Sequence, residues 1–399
     1  MRTFTFKGLF LTAVFMLLGC LSIQAADNDL ITKQITIKLE EAGTLPNKIG
    51  SSRKYQITNL KLIGEINGTD LRMIREMAGK DYRNETTEGN LSVLDLSEAK
   101  IVMGGNSYYG NPNIGDSYYT STDKIGAYAF RYCSVLTSLT LPSSITEIGD
   151  GAFYGCSGLT SLNLPAGITS IGYDAFEGCS GLTSLTLPAT ITSIGDGAFE
   201  GCTGLTSLNL PPSITEIGSL AFYGCSGLTS LNLPAGITKI GNRAFEGCTG
   251  LTSINLPAGI TSIGWNAFNG CTGLTSINLP AGITYIDGGA FSDCSGLTSI
   301  YIYAEKVPGI DSDAFKGCDA KKCILYVPKG TYDDYWLSDF SYFENIVEFD
   351  ATGIDKTTTF TDVEEVSRYS VNGQRLVGPI KGLNIVKYSD GSVKKVAVQ

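Results

Sequence analysis

Between residues 125 and 287 the apolar positions repeat with a fixed spacing. In residues 156–171, Leu159, Leu162 and Leu164 follow the order L-x-x-L-x-L. In an extended chain successive side chains point to opposite faces, so Leu162 and Leu164 share one face while Ser161 and Asn163 share the other. One strand cannot bury that leucine pair alone. Stacking further copies in parallel, about 4.7–4.9 Å apart, places leucine on leucine and removes both from water. Pro165 has no N–H to offer a ladder and ends the strand. Ile168 and Ile171 carry the chain back across the core, and Ala175-Phe176 sets a small residue beside a large one where the coil closes.

The unit IGDGAFYGCSGLTSLNLPAGITS is 23 residues long and recurs at that length, with a looser copy through Ile310, Ala314, Phe315 and Cys318. A fixed period in the twenties with leucines at these spacings predicts a leucine-rich repeat solenoid, an α/β repeat fold dominated by parallel β-structure. Phe130, Phe153, Phe176, Phe199, Phe222, Phe245, Phe268, Phe291 and Phe315 occupy one column and predict a stacked spine. The convex segment, with two glycines in IGDGAFYGC, suits turns or short 3₁₀ pieces better than a helix.

The flanks read as caps. Ile35–Leu39 alternates as a half-buried strand, Ile57–Leu62 as another, and Leu91–Leu96 matches the repeat strand. Between them Thr69-Asp70 opens a helix with Leu71, Ile74 and Met77 on one face, stopping at Gly79. Beyond the array, residues 323–328 form a last strand, and Tyr335, Trp336, Phe340 and Phe343 supply an aromatic closure. Residues 27–102 are thus an N-terminal cap, 125–318 the array and 319–350 a C-terminal cap. Residues 351–366 are a Thr- and Asp-rich linker, and 367–399 a small β module. Asn372-Gly373 and Asp390-Gly391 mark hairpin turns in that module, giving three short strands.

Residues 1–26 predict an export signal: Arg2 and Lys7, an apolar run from Leu9 to Leu18, and a small-residue cleavage site at Ala25 or Ala26. A competing reading is a lipid anchor on Cys20, after Leu17-Leu18-Gly19. The apolar run is short for a spanning helix, and no later stretch qualifies, so no integral membrane segment is expected once the signal is removed.

The pattern C-x-G-L-T-S-L-x-L-P-x-x-I-T-x-I-G-x-x-A-F-x-G resembles the BspA-type leucine-rich repeat of bacterial surface antigens. ITNLKLIGEINGTDLRMIREM resembles the leader region of those proteins, and C-x-L-Y-V-P followed by spaced aromatics resembles the end of their arrays. The tail, with GLNIV and KKVAV, resembles a type IX sorting tail. The resemblance implies an exported surface protein whose partners are host matrix proteins, other bacterial surface proteins or glycans.

Charge and composition narrow the chemistry. A net charge of −10 disfavours nucleic acid as a partner. The chain has no histidine, which excludes His-dependent triads and His-ligated metal sites. No carboxylate pair stands out from the repeat background for acid–base work. The expectation is a non-catalytic binding protein without a cofactor. A structural spacer or display stalk is the alternative class, and an exported hydrolase the third.

Three features compete for attention. Cys133, Cys156, Cys179, Cys202, Cys225, Cys248, Cys271 and Cys294 form a column 23 apart. Each interior thiol would have two equal neighbours with parallel side chains, so free buried thiols are expected, behaving as small hydrophobes. Cys318 and Cys323 fall outside that spacing, and a bridge between them stays open. The serine and Thr/Asn columns (Ser138 to Ser299, Thr140 to Asn278) keep an open sheet face soluble or meet a partner across several repeats. Residues 103–124 interrupt the array as a Tyr- and Gly-rich loop carrying Tyr108, Tyr109, Tyr118 and Tyr119, the composition of a contact surface. With Tyr154, Tyr223 and Trp265 from the variable turn columns, these are the candidate ligand-binding residues.

Overall fold

The computed structural model describes residues 29–111 and 115–351, together with the backbone of four strands between 365 and 398. The expected export signal, the Cys20 anchor, most of the linker and both tail turns lie outside the described residues.

The chain winds as a parallel-strand solenoid. Strand β1 (Ile35–Leu39) is followed by helix α1 (Leu45–Ile49), β2 (Asn59–Ile66), helix α2 (Gly68–Met77) and β3 (Val93–Ile101). These three strands pair in parallel, and β3 passes the ladder to Ser138–Thr140, the first strand of the regular array. From there the register steps by one repeat at a time: Leu139 beside Leu162, Leu162 beside Leu185, Leu185 beside Leu208, Leu208 beside Leu231. The nine-stranded sheet ends at Ser253–Asn255. A four-stranded parallel sheet then runs from Ser276–Leu279 to Asn345–Phe349. Each strand shows the expected alternation, with serine outward and leucine or isoleucine buried. Burying each leucine is worth about 1.5–3 kcal/mol.

A second, narrower ladder lies where each coil returns. Lys124–Ile125, Glu147–Ile148, Ser170–Ile171 and Ser193–Ile194 form one four-stranded parallel sheet, and Lys239–Ile240 to Gly309–Ile310 another. Threonine side chains reinforce the ladders, several hydroxyls donating to the threonine carbonyl of the coil before, as Thr183 does to Thr160 at 3.3 Å. The convex segments contain turns and no helix between residues 125 and 318.

The phenylalanine spine is present. Adjacent rings from Phe130 to Phe315 lie 5.1–5.6 Å apart by centroid and within 11° of parallel. That separation exceeds face-to-face contact, so the rings are offset, the arrangement their quadrupoles favour. Phe343 closes the stack edge-on, 5.2 Å from Phe315. The cysteine column runs beside it, every described thiol free and buried. From Cys156 to Cys318 each Sγ–H donates to a phenylalanine carbonyl of the preceding coil, as Cys225 does to Phe199 at 3.0 Å. Burial pushes the Cys225 thiol up to about 12. Cys318 and Cys323 are likewise unbridged.

Two expectations about the flanks need correction. The insertion at 103–124 is not a structureless loop. Strands β4 (Gly104–Asn111) and β5 (Asp116–Thr120) pair antiparallel, with Tyr109 opposite Tyr118. A cross-strand aromatic pair stabilises such a hairpin, and β4 lies on α2, where the Asn106 N–H donates to Thr69 Oγ1 at 3.0 Å. The tail module has four antiparallel strands rather than three. Glu365–Ser370 begins inside the expected linker, and the short Arg375–Leu376 pairs on its outer side.

Candidate functional site at the hairpin and turn edge

The hairpin is anchored from below. Asn67 caps α2, and Asp70, wholly buried, accepts from the backbone N–H of Gly43, Leu45 and Asn67 at 2.6–2.9 Å. One turn on, the buried Arg75 guanidinium donates to the carbonyls of Tyr128 and Ala129 at 2.9 and 3.0 Å. It also lies over the Tyr109 ring, 5.2 Å from its centroid. Tyr109, Tyr118 and Tyr128 pack around this point with centroids 5.0–5.7 Å apart. The wedge joins cap, hairpin and first coil.

This geometry separates the four hairpin tyrosines. Tyr108 is 1% exposed and its hydroxyl donates to the Ala127 carbonyl at 2.9 Å. Tyr109 is 6% exposed. Both are core residues and cannot be surface anchors. Tyr118 is half-buried, its phenol raised by that burial first and then by Tyr128 and Asp116. Tyr119 alone stands out, 56% exposed. Alternation along β5 sends Tyr118 and Tyr119 to opposite faces, while on β4 both tyrosines are covered, Tyr108 against Ala127 and Tyr109 under Arg75.

Beside Tyr119 lies a cleft of about 460 Å³. Its other polar walls are Ser121, Lys124, Glu147, Asp150 and Ser170, drawn from the hairpin and three successive coils. Lys124 and Glu147 form an ion pair across the short ladder. Asp150 accepts from the Tyr173 N–H at 2.8 Å through one oxygen. None of these polar residues was singled out by sequence. They belong to a cleft only because the hairpin roofs the first coils, and no signal within a 23-residue period carries that.

The remaining candidates form two separate clusters along the turns. Tyr154 lies under Arg131, 4.4 Å from the guanidinium to the ring centroid, with Tyr132 edge-on at 5.1 Å. Tyr223 lies under Arg243 at 4.8 Å, and Arg243 also pairs with Glu246 at 2.6 Å. Trp265, 47% exposed, flanks the same guanidinium at 5.9 Å. Between them Asp174, Glu177 and Glu200 have raised carboxyl values. Burial is the first cause in each, and repulsion from neighbouring carboxylates adds to it. The structure therefore does not bring Tyr119, Tyr154, Tyr223 and Trp265 into one site.

These turns share a backbone feature. Tyr128, Gly151, Asp174, Gly197, Leu220, Arg243, Asn266 and Gly289, one per coil, all have φ between 51° and 64°. Gly151 is required for a second reason. A Cβ there would lie 2.6 Å from the Tyr128 ring, so the tyrosine of one coil covers the glycine of the next.

Among the described residues no group of His, Cys, Asp and Glu could hold a metal ion, and no helix is long and apolar enough to cross a membrane.

A solenoid of parallel strands, one per coil, with a leucine core and an open polar sheet face defines a leucine-rich repeat protein. More narrowly, the chain belongs to the BspA type leucine rich repeat family, whose model matches in six copies over residues 123–237 and 215–331, just over half of the chain. It is similar to a solved leucine-rich repeat protein of T. pallidum, at 29% identity over 49% of this chain and 87% of that one, TM-score 0.41. A leucine rich cell surface protein of Faecalibacterium prausnitzii matches at 22% identity over 80% of this chain and 94% of the other, TM-score 0.37. A leucine-rich repeat protein of Bacteroides ovatus matches at 22% identity over 65% and 84%, TM-score 0.29. No curated protein matches the chain.

Proposed function

We propose that this chain is an exported, non-catalytic binding protein of the cell surface, adhesin-like, engaging matrix proteins, bacterial surface proteins or glycans. The observation that carries the reading is the Tyr119 cleft. Here the periodic surface is interrupted by an exposed aromatic ring on an anchored hairpin beside convergent polar groups, the usual make-up of a binding site. The repeated Ser, Thr and Asn columns give the sheet face no such focus. Their sameness suits weak multivalent contact. Membership of a repeat family with protein-interaction folds agrees with this, as does the lack of histidine.

The test is a binding screen of the mature chain against matrix proteins, glycan arrays and bacterial surface extracts by surface plasmon resonance. Tyr119→Ser should weaken the strongest interaction at least tenfold. Tyr332→Ser, an exposed tyrosine on the C-terminal cap, should leave it unchanged. An absence of any ligand, or equal binding by both variants, overturns the reading.

A further inference from the structure

The narrow ladder has a gap. In most coils the glycine that follows the short strand donates to the isoleucine carbonyl 24 residues earlier: Gly149 to Ile125, Gly172 to Ile148, Gly195 to Ile171, Gly241 to Ile217 and Gly264 to Ile240, at 2.8–3.1 Å. The threonine that precedes the strand pairs likewise, as Thr192 does with Thr169 at 3.0 Å. Neither bond forms between the coils at 192–194 and 215–218. Among the described residues the N–H groups of Thr215 and Gly218 and the carbonyls of Thr192 and Ile194 have no partner there. The coils are held together on both sides of the gap. Ser213 Oγ donates to the Ile191 carbonyl, and the Ser219 N–H donates to Asp196 Oδ1 at 2.8 Å. The open coil begins with Pro211-Pro212, where most others carry Pro-Ala.

The gap opens into a cleft of about 500 Å³ whose walls include Tyr173, Thr192, Asp196, Thr215 and Glu216. Tyr173 is 59% exposed, and Asp196 and Glu216 are exposed as well. Neither carboxylate has an ion-pair partner among the described residues. The nearest cation in register is Lys239, one coil beyond Glu216, and it forms no ion pair with Glu216. Residues 132–238 contain seven carboxylates and not one lysine or arginine. Two exposed carboxylates without ion-pair partners, Asp196 keeping one oxygen open beside its bond to Ser219, an exposed aromatic ring and unpaired backbone groups in one cleft match the chemistry of a guanidinium on an extended peptide. The carboxylates take charge-assisted hydrogen bonds, the ring takes the planar cation, and the open backbone pairs with the peptide.

We infer that this slot receives an arginine-bearing extended segment of a protein partner. It goes beyond the reading above, since its carboxylates and aromatic ring are not those of the Tyr119 cleft and it does not depend on which ligand that cleft takes.

The test uses the full mature chain and a labelled hexa-arginine peptide, with binding followed by fluorescence anisotropy at fixed salt. The double variant Asp196→Asn, Glu216→Gln should bind at least tenfold more weakly. Asparagine keeps the capping bond at 196, because Asn242 Oδ1 already accepts from the Trp265 N–H in the equivalent place, at 3.0 Å. Tyr173→Ser should weaken binding about fivefold. A charge-matched control, Glu305→Gln with Asp333→Asn, should bind as the parent does. Amide exchange at Thr215 and Gly218 should be fast in the free protein and slow with peptide. Equal loss in the charge-matched control would reduce the effect to net charge and overturn the proposal. Full amide protection without peptide would mean the slot is already filled, and would overturn it too. So would tighter binding of a neutral oligosaccharide such as cellohexaose, competing with the peptide. Unchanged melting temperatures establish that the variants fold.

Discussion

The wholly buried guanidinium of Arg75 donates to the carbonyl of Tyr128 at 2.9 Å, tying the N-terminal cap to the first coil of the array. Carbonyls of Ala129, Asp81 and Arg131 accept from the same group, and no carboxylate faces it. The Tyr128 carbonyl belongs to a left-handed residue, φ 59°, so the turn presents its oxygen toward the cap. Arg75→Met should therefore lower stability by about 3 kcal/mol, since it strands several buried carbonyls, each costing about 1–3 kcal/mol with incomplete additivity. Urea denaturation measures this, and a loss under about 1 kcal/mol would show that the cap docks by its apolar face alone.

The cysteine column should be chemically silent in the native state. Burial pushes Cys225, Cys318 and Cys323 each up to about 12. Thiolate is the reactive form, so a thiol reagent at pH 8 should label these residues only after unfolding. Full labelling in denaturant without reductant confirms free thiols, and a count that stays near zero would reveal bridges.

Asp174, Glu177 and Glu200 make stability fall as pH rises. Their carboxyl values are higher in the folded chain than in the unfolded one, through burial first and then repulsion from neighbouring carboxylates, Asp150 and Asp196 among them. The folded state thus binds more protons between the ordinary carboxyl range and the raised values, and stability drops across that window. Glu177→Gln and Glu200→Gln should each raise the melting temperature at pH 7. Neither should do so at pH 4. Melting curves at both values decide it, and a gain of the same size at pH 4 would refute the repulsion argument.

Gly151→Ala should destabilise by about 1–3 kcal/mol, because the new methyl meets the Tyr128 ring while the backbone stays left-handed. The double variant Gly151→Ala, Tyr128→Gly should recover the steric part. If the single variant melts as the parent does, the turn has room that this packing denies.

Each coil touches only its neighbours, so deleting the 23 residues 240–262 should leave a folded, shorter solenoid. Deleting residues 57–96 should instead uncover Leu139, which is buried at present beside Leu94 in the ladder, and cause aggregation. Circular dichroism and light scattering on both deletions provide the check.

Most of the architecture was legible in the sequence because it depends on local periodicity. Leucines that alternate with serine along a strand, and phenylalanines and cysteines spaced 23 apart, have one way to be buried together when copies stack. The strands, the register, the spine and the free thiols all follow from that; α2 was read from its own local signals, and it begins at Gly68 with Asn67 as its cap, just ahead of the expected Thr69-Asp70. The tail shows the limit of the same reasoning. Its turn signals were plain, but a two-residue strand at Arg375–Leu376 has no periodicity of its own.

What the tertiary structure decided are the contacts between segments that do not share the period. Nothing in GGNSYYGNPNIGDSYYTSTD says that Tyr108 and Tyr109 turn inward while Tyr119 turns out. That is set by the hairpin register and by Arg75, more than thirty residues away. Asp196 and Glu216 read as ordinary members of their columns, and only the missing bonds of one coil make them walls of a slot. Periodic burial is a property of each repeat, and so it is written in each repeat. A cleft exists where the period is broken, and its shape depends on distant atoms that the local pattern does not mention.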